Sequence, residues 1–238
     1  MKFQIEKSRL LNNIQKIKTI GLESSSLPIS SNVRLEITKT KVKLTTINSN
    51  IVMWTTFKVD NSDGVGEIKV PAKTFFELVK KLPKTKIIDF NIDKQVLTIK
   101  AGKVNQKIKG FDGEFPTTDK LPSPDTLSLD QKTLKEMINL TDFAMAIDDS
   151  RPILNGALIK VITDKVSIIA TDGRRLAMVE RTLDEVTEWN KDFIVSGQAI
   201  RELKSVLSEE GKVTIKIVGH IDSKANAIFI AKAVNHYA

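Results

Sequence analysis

Cysteine is absent from this 238-residue chain. That excludes disulfides and thiolate metal sites, and nothing supports a secreted setting. Histidine is nearly absent: His220 sits in the turn GHIDSK and His236 lies near the end. Neither has the i+3 or i+4 partner of a zinc site. Aromatic residues make up 5% of the chain, with Tyr237 the one tyrosine and Trp54 and Trp189 the tryptophans. So sparse a set argues against stacking the bases of a single strand. No apolar run approaches the length of a membrane span. The start, MKFQIEKSRLLNNIQKIK, carries charges every few residues and no apolar signal-peptide core. There is no G-x-S-x-G elbow, and Gly64-Val65-Gly66 lacks the third glycine and following helix of a dinucleotide loop. Asp148-Asp149 before Arg151 reads as an exposed turn rather than a metal-binding pair. The expectation is a soluble cytoplasmic protein, not an enzyme, with no cofactor and no metal.

Positive charge is abundant but unevenly spread. The net charge is +8, with residues 1–120 at +10 and residues 121–238 at −2. A basic half suits a polyanion partner, although solvated lysines alone account for the same numbers.

The chain also repeats itself. PISSNVRLEITKTKVKLTT from Pro28 lies on PILNGALIKVITDKVSIIA from Pro152 at an offset of 124 without a gap. Backwards, Phe3, Ile5, Leu10 and Ile14 meet Leu127, Leu129, Leu134 and Ile138. Forwards, with a one-residue slip, VPAKTFFELVKKL from Val70 meets VSGQAIRELKSVL from Val195. Three segments in one order at nearly one spacing mark two like domains, 1–120 and 121–238, joined by a linker at Phe111–Thr126 rich in Pro, Asp and Thr.

Periodicity places the same elements in each repeat. Leu10, Leu11, Ile14 and Ile17 predict one helix; Phe75, Leu78, Val79 and Leu82 predict a second. Leu134, Met137 and Ile138, then Ile200, Leu203 and Leu207, are their counterparts. Val33, Leu35, Ile37 and Val42, Leu44, Thr46 alternate as half-buried strands, and IIDFNI and QVLTIKAG read as closing strands. Two amphipathic helices on antiparallel sheet make an α+β domain. The wet helix faces carry Arg9, Lys16, Lys73, Lys80 and Lys81, with Lys84 just beyond, in the first repeat. In the second they carry Lys132, Lys135, Arg201 and Lys204. These are ordinary solvated faces or, taken together, diffuse contacts to duplex phosphates.

MKF.I....LL..I, LPI.SN, VPAKTFFELVKKLP, DGEFP, SRPILNGALI and ATDGRRLA together resemble the bacterial DNA polymerase III beta subunit family, the sliding clamps of replication. The resemblance runs from Met1 to about Val234. It implies two tandem DNA-clamp domains, each a doubled strand–helix–strand unit. It also implies a homo-oligomeric ring around double-stranded DNA that tethers a polymerase without catalysing anything. The implied partners are duplex DNA of any sequence, the polymerase III alpha subunit and the clamp loader, with no membrane. By position, it places a partner-peptide cleft at Leu154, Thr171, Gly173, Arg174, Arg175 and Leu176. There Leu154 and Leu176 would be apolar floor and Arg175 would pair with the peptide. The residues alone read as a plain Asp-Gly hairpin.

The chain departs from the family pattern in several places. A third domain is expected to be absent. That leaves a truncated form acting as a non-ring binder of polymerase or clamp-loader peptides, or two-domain subunits closing as a trimer. Ser196-Gly197-Gln198 stands where the family reads Pro-basic-basic, Arg174 where it reads His, and Ser24-Ser25-Ser26 where a basic residue is common.

Overall fold

Apolar residues recurring every three to four positions from Leu10 give the first helix its buried stripe: Leu10, Ile14, Ile17, Ile20 and Gly21 are all buried. The computed structural model describes residues 1–22, 31–48, 51–83, 85–115, 126–184, 190–218 and 228–234, with backbone only at 126, 216–218 and 228–234. Outside the described residues lie Pro28-Ile29 of the repeat match, Ser24–Ser26, Lys84, linker residues 116–125, Trp189, His220, His236 and Tyr237. The chain divides into two compact units, Met1–Thr117 and Thr118–Ala238.

The first unit runs β1 (Lys2–Glu6), α1 (Lys7–Leu22), β2 (Asn32–Ile37), β3 (Lys41–Ile47) and β4 (Val52–Lys58), then the two-residue β5 (Asn61–Ser62). It continues with β6 (Gly66–Pro71), α2 (Ala72–Lys81), β7 (Ile87–Asp93), β8 (Val96–Ala101) and β9 (Val104–Lys109). The second runs β10 (Thr126–Asp130), α3 (Gln131–Asn139), β11 (Gly156–Ile162), β12 (Lys165–Thr171) and β13 (Leu176–Thr182). Then come β14 (Asn190–Ser196), α4 (Gly197–Val206), β15 (Lys212–Val218) and β16 (Ile228–Val234). Short 3-10 turns at Asp142–Ala144 and Pro152–Leu154 lie between α3 and β11.

The sheet orders disclose a duplication inside each unit. Unit one holds sheets β4-β3-β2-β6 and β5-β1-β7-β8-β9; unit two holds β13-β12-β11-β14 and β10-β15-β16, and all pairings are antiparallel. Each half of a unit thus lends its first strand to the other half's sheet: β6 to β4-β3-β2, and β1 to β7-β8-β9. This exchange closes both sheets over one core. In unit one Phe3 stacks on Phe90 at 4.9 Å between ring centroids, and Leu10, Leu35, Leu44, Phe75 and Ile88 are nearly or fully buried. Each such side chain contributes on the order of 1.5–3 kcal/mol. The helices pack beside each other where Gly21 of α1 leaves room: a Cβ there would stand 2.8 Å from the Thr46 methyl and 3.0 Å from the Phe76 ring.

Two local features bear on the expected linker and on the departure at Ser196. Residues 111–115, expected to be linker, pack onto the outward face of β6 and β2. The Phe111 N–H donates to the Lys69 carbonyl at 2.8 Å, Lys69 Nζ donates to the Gly113 carbonyl at 2.7 Å, and Arg34 lies 6.0 Å from the centre of the buried Phe115 ring. Apolar area and backbone bonds outweigh the turn-forming composition of this stretch. Phe115→Ala is therefore expected to cost unit one about 3 kcal/mol in urea unfolding, near the low end for a buried phenylalanine. At the start of α4, Ser196 does what a proline there cannot: its hydroxyl accepts the Ala199 N–H at 3.3 Å.

Candidate functional site

The turn quoted from ATDGRRLA joins β12 to β13, and its shape follows from two small side chains. Asp172 Oδ1 accepts the N–H groups of Arg174 and Arg175, both at 3.0 Å, so the chain must reverse there. Thr171 Oγ1 accepts the Gly173 N–H and donates to the Arg175 carbonyl at 2.7 Å, closing the turn from its other side. Gly173 has φ +85°, which glycine adopts freely. The backbone bonds from Arg174 and Arg175 hold the Asp172 carboxyl below its ordinary range.

A second loop braces this turn. Asn155 Nδ2 donates to the Asp149 carbonyl and its Oδ1 accepts the Asp149 N–H, both at 2.9 Å. Asp149 in turn receives Arg151 Nε at 2.9 Å and Nη2 at 3.1 Å. Arg151 Nη2 lies only 3.2 Å from where a Cβ on Gly173 would be, so the loop guanidinium rests against the turn glycine. Side-chain and then backbone hydrogen bonds from Arg151 lower the Asp149 pKa from 3.8 to about 2. A depressed carboxylate pKa stabilises above the ordinary value and is lost as pH falls through the folded one. The Arg151 Nε–H resonance is therefore expected to persist down to about pH 4 and disappear toward pH 2, in step with titration of the Asp149 carboxyl carbon. This pairing answers the question of Asp148-Asp149: the Asp149 carboxylate is taken by an arginine. Among the described residues no group of three or more histidine, aspartate and glutamate side chains is placed to hold a metal ion.

Of the six peptide-cleft residues expected, Thr171, Gly173, Arg174, Arg175 and Leu176 share the turn. Leu154 ends the 3-10 turn beside it, with its carbonyl accepting the Ala146 N–H. Leu176 is 67% exposed. Arg175, expected to meet a peptide, is already engaged: Nε donates to Asp172 Oδ2 at 3.0 Å and the guanidinium lies 5.7 Å from the centre of the Phe143 ring. The guanidinium of Arg174 has no hydrogen-bond or ion-pair partner among the described residues.

The register shows residues that periodicity alone passed over. Met178, Ile169, Leu158 and Ile194 stand side by side across β13, β12, β11 and β14 on the outward face. Together with Leu176 they form an apolar band, with Met178 57% exposed. The same row in unit one is Trp54, Thr45, Arg34 and Lys69, and the Gly110–Phe115 segment lies on its Arg34–Lys69 end. Laying the repeats over one another and comparing outward positions, not only core ones, exposes this switch from polar to apolar.

The nine cations expected to face DNA separate into two groups. Lys16, Lys73, Lys80, Lys81 and Arg201 are exposed on their helices and hold no acidic partner among the described residues; Lys132 is exposed too, but its charge acts on Glu209. The other three are neutralised. Arg9 Nη1 donates to Asp60 at 2.7 Å and Nη2 to Glu6 at 3.3 Å; Lys204 pairs with Asp142 at 2.6 Å; Lys135 pairs with Glu209.

Two units, each built from two strand–helix–strand halves (βαβββ twice in unit one, βαβββ and βαββ among the described residues of unit two) with two helices over exchanged antiparallel sheets, define an α+β protein of the DNA-clamp class. Residues 1–119 match the model of the DNA polymerase III beta subunit N-terminal domain, and residues 128–236 match that of its central domain. The chain belongs to the DNA polymerase III beta subunit family. It is 32% identical over 222 residues to the beta sliding clamp of Pseudomonas putida, covering 92% of this chain and 60% of that protein. To the beta sliding clamp of Bacillus subtilis it is 27% identical, covering 98% of this chain and 63% of that protein. The crystal structure of the DNA polymerase III beta subunit from Pseudomonas aeruginosa superposes with a TM-score of 0.86 at 29% identity, covering all of this chain and 66% of that one. The chain thus spans 60–66% of the length of these relatives, less than two thirds. Among the described residues no helix is long and apolar enough to cross a membrane.

Proposed function

We propose that this chain supplies the first two domains of a DNA sliding clamp: it helps to encircle double-stranded DNA and tethers the replicative polymerase. The single observation that carries this is the coincidence of the doubled clamp fold with exposed helix cations, Lys16, Lys73, Lys80, Lys81 and Arg201, that hold no acidic partner among the described residues. Charges of that kind attract phosphates without reading bases. They bind weakly and one at a time, which suits a body held by topology rather than grip. The relatives named beta sliding clamps support the same reading.

The partner side of the function lies in unit two. The braced turn at Thr171–Leu176, the neighbouring Leu154 and the exposed Met178 offer a short apolar seat with charged edges. Peptides of the polymerase III alpha subunit and of the clamp loader are its proposed occupants. A rigid turn with an apolar floor suits such a segment, because little side-chain entropy is lost on the receiving side.

The decisive measurement is retention on DNA. Applied to a nicked circular plasmid, a clamp should stay bound through gel filtration in about 200 mM salt and run off when the circle is cut. Sedimentation in parallel gives the particle mass and so the number of domains in the ring. A particle that stays monomeric, leaves circle and linear DNA equally fast, and yet binds polymerase peptides is a non-ring binder, and encirclement falls.

A further inference from the structure

The turn and its bracing loop hold three arginines, and the charge of two is answered. Arg151 is clasped by both oxygens of Asp149, and Arg175 by Asp172 and the face of Phe143. Asp172 is itself saturated, since Oδ1 takes two backbone N–H groups and Oδ2 takes Arg175 Nε. Among the described residues Arg174 is left exposed with its fork of donors unspent, two residues before Leu176 and four before Met178. Leu176 and Met178 project from the same face of β13, because alternate residues of a strand do. The juxtaposition is therefore one free guanidinium beside two exposed apolar side chains.

We propose that Arg174 sets the charge of the peptide that docks here: the occupant carries an aspartate or glutamate within two residues of the apolar side chain seated on Leu176 and Met178. This rests on the reading of the turn as a peptide site. A carboxylate matches the planar fork in two parallel hydrogen bonds, and the apolar neighbours exclude water from one side of that pair. A nucleic-acid phosphate also matches the fork, but it would bring charged backbone over Leu176 and Met178, which gains nothing from them. Arg175 has a different task. Held under Phe143 and by Asp172, it shapes the turn.

The experiment begins with overlapping peptides of about 15 residues tiled across the polymerase III alpha subunit and the clamp loader of the same cell. The strongest binder is labelled with fluorescein and compared with its Asp→Asn or Glu→Gln counterpart, against wild type and Arg174→Gln, at about 50 and 200 mM salt. The amide peptide is expected to bind wild type about threefold to tenfold more weakly at low salt, and Arg174→Gln about equally well, so the two changes are coupled. Arg175→Gln should weaken both peptides alike. An equal amide penalty in wild type and Arg174→Gln overturns the assignment. So does an Arg174→Gln variant whose duplex binding loses salt dependence while its peptide discrimination is unchanged. If no peptide binds either protein, the docking reading itself fails, an outcome distinct from both.

Discussion

Alanine at Lys73, Lys80 and Lys81 together is expected to make binding to a short linear duplex markedly less sensitive to salt. Each phosphate neutralised on B-DNA adds about 0.9 to the slope of log affinity against log salt, so three lost contacts remove up to about 2.7. Between about 50 and 200 mM salt that is roughly a 40-fold smaller change in affinity. The three lysines are exposed on α2, while Phe75, Phe76 and Val79 hold the opposite face in the core. The substitution therefore removes charge without touching packing, and alanine is at least as good a helix former as lysine. Circular dichroism should show α2 unharmed apart from about 0.3–1 kcal/mol for each of the two last-turn lysines that balance the helix dipole. Fluorescence anisotropy over a salt series reads the effect. Arg9, Lys135 and Lys204 are the controls: already paired with acids, they should leave the slope almost unaltered when replaced. An unchanged slope in the triple variant would remove α2 from the DNA surface.

Gly156→Ala is expected to damage unit two more than any exposed change. A Cβ on Gly156 would stand 2.3 Å from the Val195 carbonyl oxygen and 3.1 Å from its carbon. Those are backbone atoms of β14, paired with β11 along their full length, so no flexible side chain can yield. Forcing the strands apart costs about 3 kcal/mol by analogy with overpacked cores. It also disturbs Asn155, whose carbonyl accepts the Gly197 N–H at 2.8 Å and whose side chain holds the Asp149 loop. Hydrogen exchange followed by mass spectrometry is expected to quicken about 100-fold across β11 and β14, with unit one unaffected. Peptide affinity should fall with it. Normal exchange in β11 and β14 would show that the sheet accommodates the methyl group after all.

Much of this architecture is legible in residue spacing. Leu10, Ile14 and Ile17 announce α1, and Phe75 and Val79 announce α2. The alternation at Val33, Leu35 and Ile37 announces β2. Each is a local pattern, fixed by 3.6- or 2-residue periods. The exchange of first strands between half-units is not local. Nothing in the β1 residues says that β7 will be their neighbour, with Phe3 opposite Phe90. Nor does the composition of Gly110–Phe115 disclose that it lies on Lys69 and Arg34 rather than in solvent. The six residues of the proposed cleft came from the resemblance, since the residues alone read as a plain hairpin; Met178 and Ile169 were passed over because an outward apolar residue in a strand looks like core until the register is known.

By itself the sequence determined that the chain is a tandem repeat, that each repeat is α+β, and that basic residues gather on the wet faces of its helices. Periodicity and self-similarity are properties of the chain alone. Only the tertiary structure decided which of those charges are free. Arg9 meets Asp60 across 51 residues, Lys135 meets Glu209 across 74, and Lys204 meets Asp142 across 62. Whether a cation is spent on an acid depends on which distant residue the folded backbone brings within about 3 Å, a distance that sequence spacing does not encode.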